Sequence, residues 1–373
     1  MTRMHLLVVL PPARISHHID MLRAMPTTEL TVVSDRGGWN VSREEVLPVR
    51  RVPVLGDPEG WAAALAWYRG LHDVGTGTAP VDAVLSFELY SVTSLQAGRL
   101  ARRLGVPHVI GTSENRADSP LYKTPPWREL ARHNVPRASA FMCFTDMARR
   151  HAVARGAPAE HTRVVYPGVD TSLFQPAPGG RSGAPRVVFV GQLRADRGAN
   201  KGVAEIVAAG KELAAEIDGF ELVMIGDGPL RPWLEEQASA LPFLTVPGPL
   251  PRPEVAGILR SARAFVLASK RAFKWSEQFC FALVEAMASG LPIVATRSGA
   301  IPDVVPGWNA LVPEGDAPAL AAGLREALGP AGDDWGARNV DYVRGRFDVQ
   351  AQGKALETAF AELISPSSAR ATQ

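Results

Sequence analysis

Trp275–Val305 reads WSEQFCFALVEAMASGLPIVATRSGAIPDVV, and its spacing decides the fold class. From Phe279 to Ser289 the apolar residues recur at helical spacing, with Phe281, Val284 and Met287 on one stripe. Gly290 and Pro292 stop that helix, because glycine suits the left-handed cap and proline cannot continue a helical ladder. Ile293–Ala295 follows at once as a short apolar run, the pattern of a strand covered on both faces. Helix, tight turn and buried strand together form one step of a parallel α/β sheet.

The same step repeats outward in both directions. Downstream lies a strand at Ala310–Val312 and a helix near Pro318–Leu328. Upstream, strands are expected at Val187–Val190, Leu222–Ile225, Leu244–Val246 and Ala264–Leu267, with helices near Val203–Ile217, Leu230–Ala240 and Pro253–Ala262. An independent series precedes it. Strands are expected at Met4–Leu10, Leu30–Ser34, Ala83–Ser86, His108–Gly111, Ala140–Phe144 and Arg163–Tyr166, with helices near Ile15–Ala24, Glu59–His72, Ser91–Leu104, Pro126–His133 and Asp146–Arg155. Pro176–Pro185, PAPGGRSGAP, has no periodicity and reads as a linker. The 373 residues therefore divide into two doubly wound α/β domains, 1–170 and 171–345, followed by a helix near Val349–Leu363 within a terminal segment 346–373. Two such domains are expected to offer a ligand cleft at the C-terminal ends of their strands.

Composition excludes several classes. Lys+Arg 40 against Asp+Glu 38 gives a net charge of +2 with no basic run, which argues against a dedicated nucleic-acid binder. Cys143 and Cys280 are the two cysteines, too few for a disulfide framework or a Cys-rich zinc module. The opening apolar run, Leu6–Leu10, is too short for a signal-peptide core or a membrane span, so a cytoplasmic location is expected.

The chemistry centres on Glu277 and Glu285, eight residues apart around the start of the Phe279–Ser289 helix. Free N–H groups at a helix start attract anions, and helical side chains lean toward that end, so Glu285 reaches back over the same place. An anion cradle flanked by two acceptor carboxylates suits a sugar nucleotide: diphosphate on the helix end, hydroxyls donating to the glutamates. The spacing alone would equally describe two solvated charges on an amphipathic helix.

Further segments accompany it in order: Tyr166-Pro167-Gly168-Val169-Asp170, Gly191-Gln192-Leu193-Arg194, Lys201-Gly202, Gly226-Asp227-Gly228-Pro229-Leu230 and Pro247-Gly248-Pro249-Leu250. Together they resemble the family 4 retaining glycosyltransferases of the GT-B fold, over roughly residues 80–345. The resemblance implies two Rossmann-like domains facing across a cleft, with the C-terminal helix returning to the first. It implies transfer of a sugar from a UDP- or GDP-type donor to an acceptor hydroxyl, with retention at the anomeric carbon. Glu277 would meet the donor sugar and Glu285 the ribose. Lys201 and Arg194 would hold the diphosphate with backbone groups near Phe279, Cys280 and Phe281, while Gly191, Gln192 and the backbone near Leu250 complete the donor site.

Some positions depart from that pattern. Gln192 stands where the family has arginine, so Arg194 substitutes as the first cation. The segment from Gly191 to Lys201 is long, which leaves Arg197 as an alternative to Lys201. Cys280 stands in a glycine position. The first strand is followed by Pro11-Pro12-Ala13-Arg14 rather than a Gly-Gly loop, and Arg14 is an acceptor-side candidate. Glu88, Glu114 and Asn115 end adjacent strands of the first domain and are the other acceptor-side candidates. His108 lies inside a strand and reads as a satisfied core or edge histidine. The chain has no Asp-x-Asp and no metal-ligand spacing, so diphosphate stabilisation without a metal or other cofactor is expected. The acceptor is undefined by sequence, and peripheral membrane contact is expected only for a lipid-linked one. A GT-B sugar-nucleotide epimerase and a catalytically inactive sugar-nucleotide-binding protein are the alternatives.

Overall fold

The computed structural model describes all residues except 1–2, 13–17, 39–40, 51–64, 76–79, 117–119, 180–182, 196–199, 273–274 and 365–373. The chain divides into two compact units, one of residues 1–168 with 349–373 and one of residues 169–348.

The first unit contains strands β1 (Met4–Val9), β2 (Thr28–Ser34), β3 (Arg43–Val46), β4 (Val49–Arg50), β5 (Trp67–Tyr68), β6 (Ala83–Phe87), β7 (His108–Thr112), β8 (Ala140–Cys143) and β9 (Thr162–Val164). Its main sheet has the order β3-β2-β1-β6-β7-β8-β9. Every pairing in it is parallel. Helices α1 (His18–Arg23), α2 (Val92–Leu104), α3 (Trp127–Asn134) and α4 (Asp146–Ala154) complete the βα steps. The last helix, α12 (Val349–Ile364), belongs to this unit: Leu356 and Phe360 enter the core formed by Leu6, Val8, Leu22 and Leu30. Gly353 permits the contact, since a Cβ there would lie 2.4 Å from the Ala24 carbonyl oxygen.

The second unit contains β10 (Arg186–Val190), β11 (Glu221–Ile225), β12 (Leu244–Gly248), β13 (Ala264–Leu267), β14 (Ile293–Thr296) and β15 (Ala310–Val312), in the order β12-β11-β10-β13-β14-β15 and all parallel. Its helices are α5 (Val203–Glu216), α6 (Arg231–Ala240), α7 (Arg252–Ser261), α8 (Phe281–Ala288), α9 (Ile301–Val304), α10 (Ala317–Leu328) and α11 (Pro330–Arg346). In each sheet the strand order reverses beside the first strand. The switch points lie between β1 and β6, and between β10 and β13, where open α/β sheets leave a crevice at the strand C-termini.

Three expectations need correction. The described part of the expected Glu59–His72 helix is not an α-helix: β5 pairs antiparallel with β4, Leu71–Asp73 forms only a single 3-10 turn, and Tyr68 donates its hydroxyl to the Leu10 carbonyl at 2.8 Å. The boundary between units falls at 168/169, ahead of Pro176–Pro185. Val169 donates its N–H to the Phe347 carbonyl at 2.8 Å and Phe174 is fully buried, which fixes this segment on the second unit. The helix carrying Glu285 begins at Phe281, not Phe279. Cys280 is its N-cap in extended conformation, and Phe279 packs in the preceding loop against Phe281 at 4.9 Å and Phe347 at 6.0 Å.

Candidate active site

The switch point of the second sheet gathers the sequence candidates. Gly191, Gln192 and Arg194 follow β10 and Lys201 immediately precedes the α5 cap, while Glu277 lies between β13 and α8. A short bridge, Ala195 to Asn200 and Asn200 to Lys270, ties the two loops together. Lys201 then ends at Gly202, the left-handed N-cap of α5 with φ of 64°. A Cβ on Gly202 would stand 2.1 Å from the Ala268 carbonyl oxygen, so only glycine lets the lysine approach β13 this closely.

Lys201 Nζ donates to Glu277 Oε2 at 2.7 Å, and both side chains are nearly buried, with 11% and 5% exposed. Ser269, two residues past β13, donates its hydroxyl to the same carboxylate oxygen at 2.6 Å. Ser269 is in turn held through its carbonyl by the Thr296 hydroxyl. The Trp275 ring covers the ammonium, whose nitrogen lies 4.8 Å from the ring centroid. Burial works against the Lys201 charge, but the Glu277 carboxylate outweighs it and sets the lysine pKa above its ordinary value. Gly299, with φ of 54°, closes the back of the site: a Cβ there would lie 2.1 Å from the Glu277 carbonyl oxygen.

Glu285, near the middle of α8, is also buried and accepts from Arg252 Nη2 at 3.0 Å. Burial raises its pKa, with Arg252 opposing. Cys280 lies at the helix start between the two glutamates; burial, with Glu277 adding to it, pushes its thiol up to about 12, so it is neutral there. Leu250 follows β12 and immediately precedes the turn into α7. Arg194 is half-buried, and its carbonyl accepts from Lys201 N–H at 3.0 Å. Gln192 is exposed. Arg197 lies outside the described residues. The chain thus brings Lys201, Glu277, Ser269 and Cys280 together and holds Glu285 on the helix that starts beside them.

In the first unit, Glu88 and Glu114 join one buried network. Thr112 Oγ1 donates to Glu88 Oε2 at 2.8 Å and accepts from Glu114 N–H at 3.2 Å. Ser113 adds two donors to Glu88 Oε1, at 3.0 and 3.3 Å. Glu114 accepts from Tyr90 at 3.3 Å, from Arg116 N–H at 2.7 Å and from the Tyr122 hydroxyl. Buried carboxylates need this many donors to remain. Glu88 takes φ of 71°, rare for a residue with a side chain and a mark of local strain at the first switch point. Asn115 is buried beside them. Arg14 lies outside the described residues. Among the described residues no cluster of three His, Cys, Asp or Glu could hold a metal ion, and no helix is long and apolar enough to cross a membrane.

Sequence reasoning missed Ser269, Thr296 and Arg252. The two hydroxyl residues carry no signal in sequence. Arg252 does: it opens a helix, where the dipole disfavours a cation, so a compensating partner is implied.

Comparison with known proteins follows the same division. Residues 184–329 match a family model described as glycosyl transferases group 1, and residues 14–168 one described as glycosyl transferase 4-like domain. A Salmonella typhimurium protein named "Putative colanic acid biosynthesis glycosyltransferase WcaL" is 32% identical over 212 residues, 54% of this chain and 50% of the relative. D-inositol 3-phosphate glycosyltransferase 1 of Catenulispora acidiphila is 26% identical over 305 residues, 75% of this chain and 72% of the relative. The chain spans about half the length of the first curated relatives it matches. Among solved structures, Anabaena HepE in complex with UDP and glucose superimposes with a TM-score of 0.72 at 16% identity, covering 96% of this chain and 100% of that one. That likeness shows the fold, two Rossmann-like parallel-sheet units of the GT-B class.

Proposed function

Since the chain belongs to the group 1 glycosyltransferases, we propose that it moves a sugar from a nucleotide-sugar donor to an acceptor hydroxyl, with retention and without a metal. The observation that carries this reading is the buried Lys201–Glu277 pair at the switch point of the second sheet, with Glu285 held on the helix that begins beside it. Isolated buried charges are costly, and a pair retained at a strand-end crevice supports the reading of a site prepared for a polar ligand.

Lys201 and Arg194 take the diphosphate, with N–H groups at the start of α8. Stabilising charge on the leaving diphosphate is the main electrostatic demand of glycosyl transfer, and fixed cations meet it without reorganisation. Glu277, oriented by Ser269, accepts from a hydroxyl of the donor sugar. Glu285 accepts from the ribose. The leaving phosphate itself takes the acceptor proton, so no separate base is assigned. The lack of any Asp-x-Asp in the chain supports metal independence. Glu88, Glu114 and Asn115 are assigned to the acceptor side.

A panel of UDP- and GDP-sugars, read by thermal shift with and without chelator, tests the proposal. At least one nucleotide sugar is expected to raise the melting temperature, since ligand at 100 times its dissociation constant adds about 2.7 kcal/mol. Chelator is expected to leave that shift and the turnover unchanged. Stabilisation by none of them would contradict the donor site, and turnover that chelator abolishes and magnesium restores would contradict the metal-independent mechanism.

A further inference from the structure

We propose that Arg252 is a positioning residue of the donor site, one that fixes the Glu285 carboxylate for recognition of the nucleotide ribose. The inference rests on the donor reading above. Arg252 opens α7 behind Pro251, at a helix end whose own dipole repels a cation. Its place is explained by what it touches instead. Nη2 donates to Glu285 Oε1 at 3.0 Å, and the guanidinium carbon stands 5.3 Å from the centroid of the Phe174 ring.

Phe174 is fully buried. It belongs to a turn that Asp170 fixes by accepting from Ser172 N–H at 2.9 Å, Ser172 Oγ at 2.6 Å and Leu173 N–H at 3.2 Å. Asp170 also feels the Arg252 charge. Three segments distant in sequence therefore converge on one guanidinium: the 169–174 turn, the start of α7 and the middle of α8. Arg252 is 45% exposed and Glu285 is 10% exposed, so the pair lies at the edge of the site with its carboxylate inward. Arginine suits this task because its flat fork meets a carboxylate and stacks on a ring at once.

A consequence for pH follows. Burial favours the protonated form of Glu285, and Arg252 is the charge that opposes it. Two other titratable groups meet this pair: Asp170, which feels the Arg252 charge, and Cys280 at the N-cap of α8, whose thiol burial holds up at about 12 so that it stays neutral. Without Arg252 the carboxylate protonates at higher pH, and affinity for ribose hydroxyls falls with it.

Titration of wild type, Arg252→Gln and Arg252→Lys with free UDP and free GDP, from pH 8 to pH 5.5, tests this. The ratio of variant to wild-type Kd cancels the titration of the nucleotide itself. Arg252→Gln is expected to raise Kd about threefold to tenfold, within the range of a lost charge-assisted contact, with the ratio growing as pH falls. Arg252→Lys is expected to restore most of the affinity and flatten the ratio. Circular dichroism melting confirms that the variants fold. A ratio near one at every pH, or no recovery of affinity in Arg252→Lys, overturns the positioning role. Failure of the wild type to bind either diphosphate overturns the donor reading instead.

Discussion

At the scale of single residues, buried polar groups separate into those gathered at the strand-end crevice of a sheet and those that serve the core. His108 is of the second kind. It lies in β7, accepts or donates at 2.8 Å to the Ser86 hydroxyl, and fits beside Gly98, where a Cβ would stand 3.0 Å from its ring. Burial, with the Arg102 charge adding, lowers its pKa to about 4. The unfolded chain takes that proton near the ordinary value of about 6.5, so the unfolded state binds more protons between about pH 6.5 and 4. Stability held above that window is lost as pH falls through it, by at most about 3 kcal/mol from this residue. Melting temperatures of wild type and His108→Gln at pH 8 and pH 5 check the sign: wild type should fall more steeply. Parallel curves would remove His108 as the cause. The role of His108 as a core histidine was legible from its place inside an apolar strand. The Ser269–Glu277 and Arg252–Glu285 contacts were not, because they join residues from separate strands and helices at distances that only the sheet order sets.

At the scale of elements, legibility followed burial. The strands of the second unit were read closely because parallel strands covered on both faces are continuous apolar runs, and Ala264–Leu267 and Ala310–Val312 match residue for residue. Edge and accessory elements were not read. Arg43–Val46 is an edge strand of half-buried and exposed residues, and its sequence REEV carries no apolar period. Pro330–Arg346 is rich in Gly, Asp and Arg, and is fixed instead by contacts such as Asn339 Nδ2 donating to the Leu291 carbonyl at 2.8 Å. The turn before α9 gives a sharper test. Gly299 has φ of 54° and abuts the Glu277 backbone, so Gly299→Ala adds both left-handed strain and a 2.1 Å clash. A loss of about 2–4 kcal/mol in chemical denaturation is expected, with donor affinity falling alongside. Unchanged stability and affinity would show that the turn does not brace Glu277.

At the scale of the molecule, the chain builds two sheets of the same kind and returns its last helix to the first. That return predicts a local effect. Leu356→Ala and Phe360→Ala remove buried groups from the first core and are expected to cost about 2–5 kcal/mol each. Hydrogen exchange should show lost protection in β1, β2 and β6 while β10–β15 stay protected; uniform loss would mean the two units do not open separately. The central claim concerns the second unit and the division of labour between its glutamates. Glu285→Gln is expected to weaken free nucleoside diphosphate and complete donor alike, by about 1–3 kcal/mol. Glu277→Gln removes the partner that holds Lys201 and leaves the ammonium available to phosphate. Free diphosphate should therefore bind this variant equally well or more tightly, while the complete donor loses turnover because its sugar is no longer oriented. The most direct test is calorimetric titration of the two variants with nucleoside diphosphate and with donor. The account predicts loss toward the sugar-free ligand in Glu285→Gln only; equal weakening of that ligand in both variants, or in neither, would contradict it.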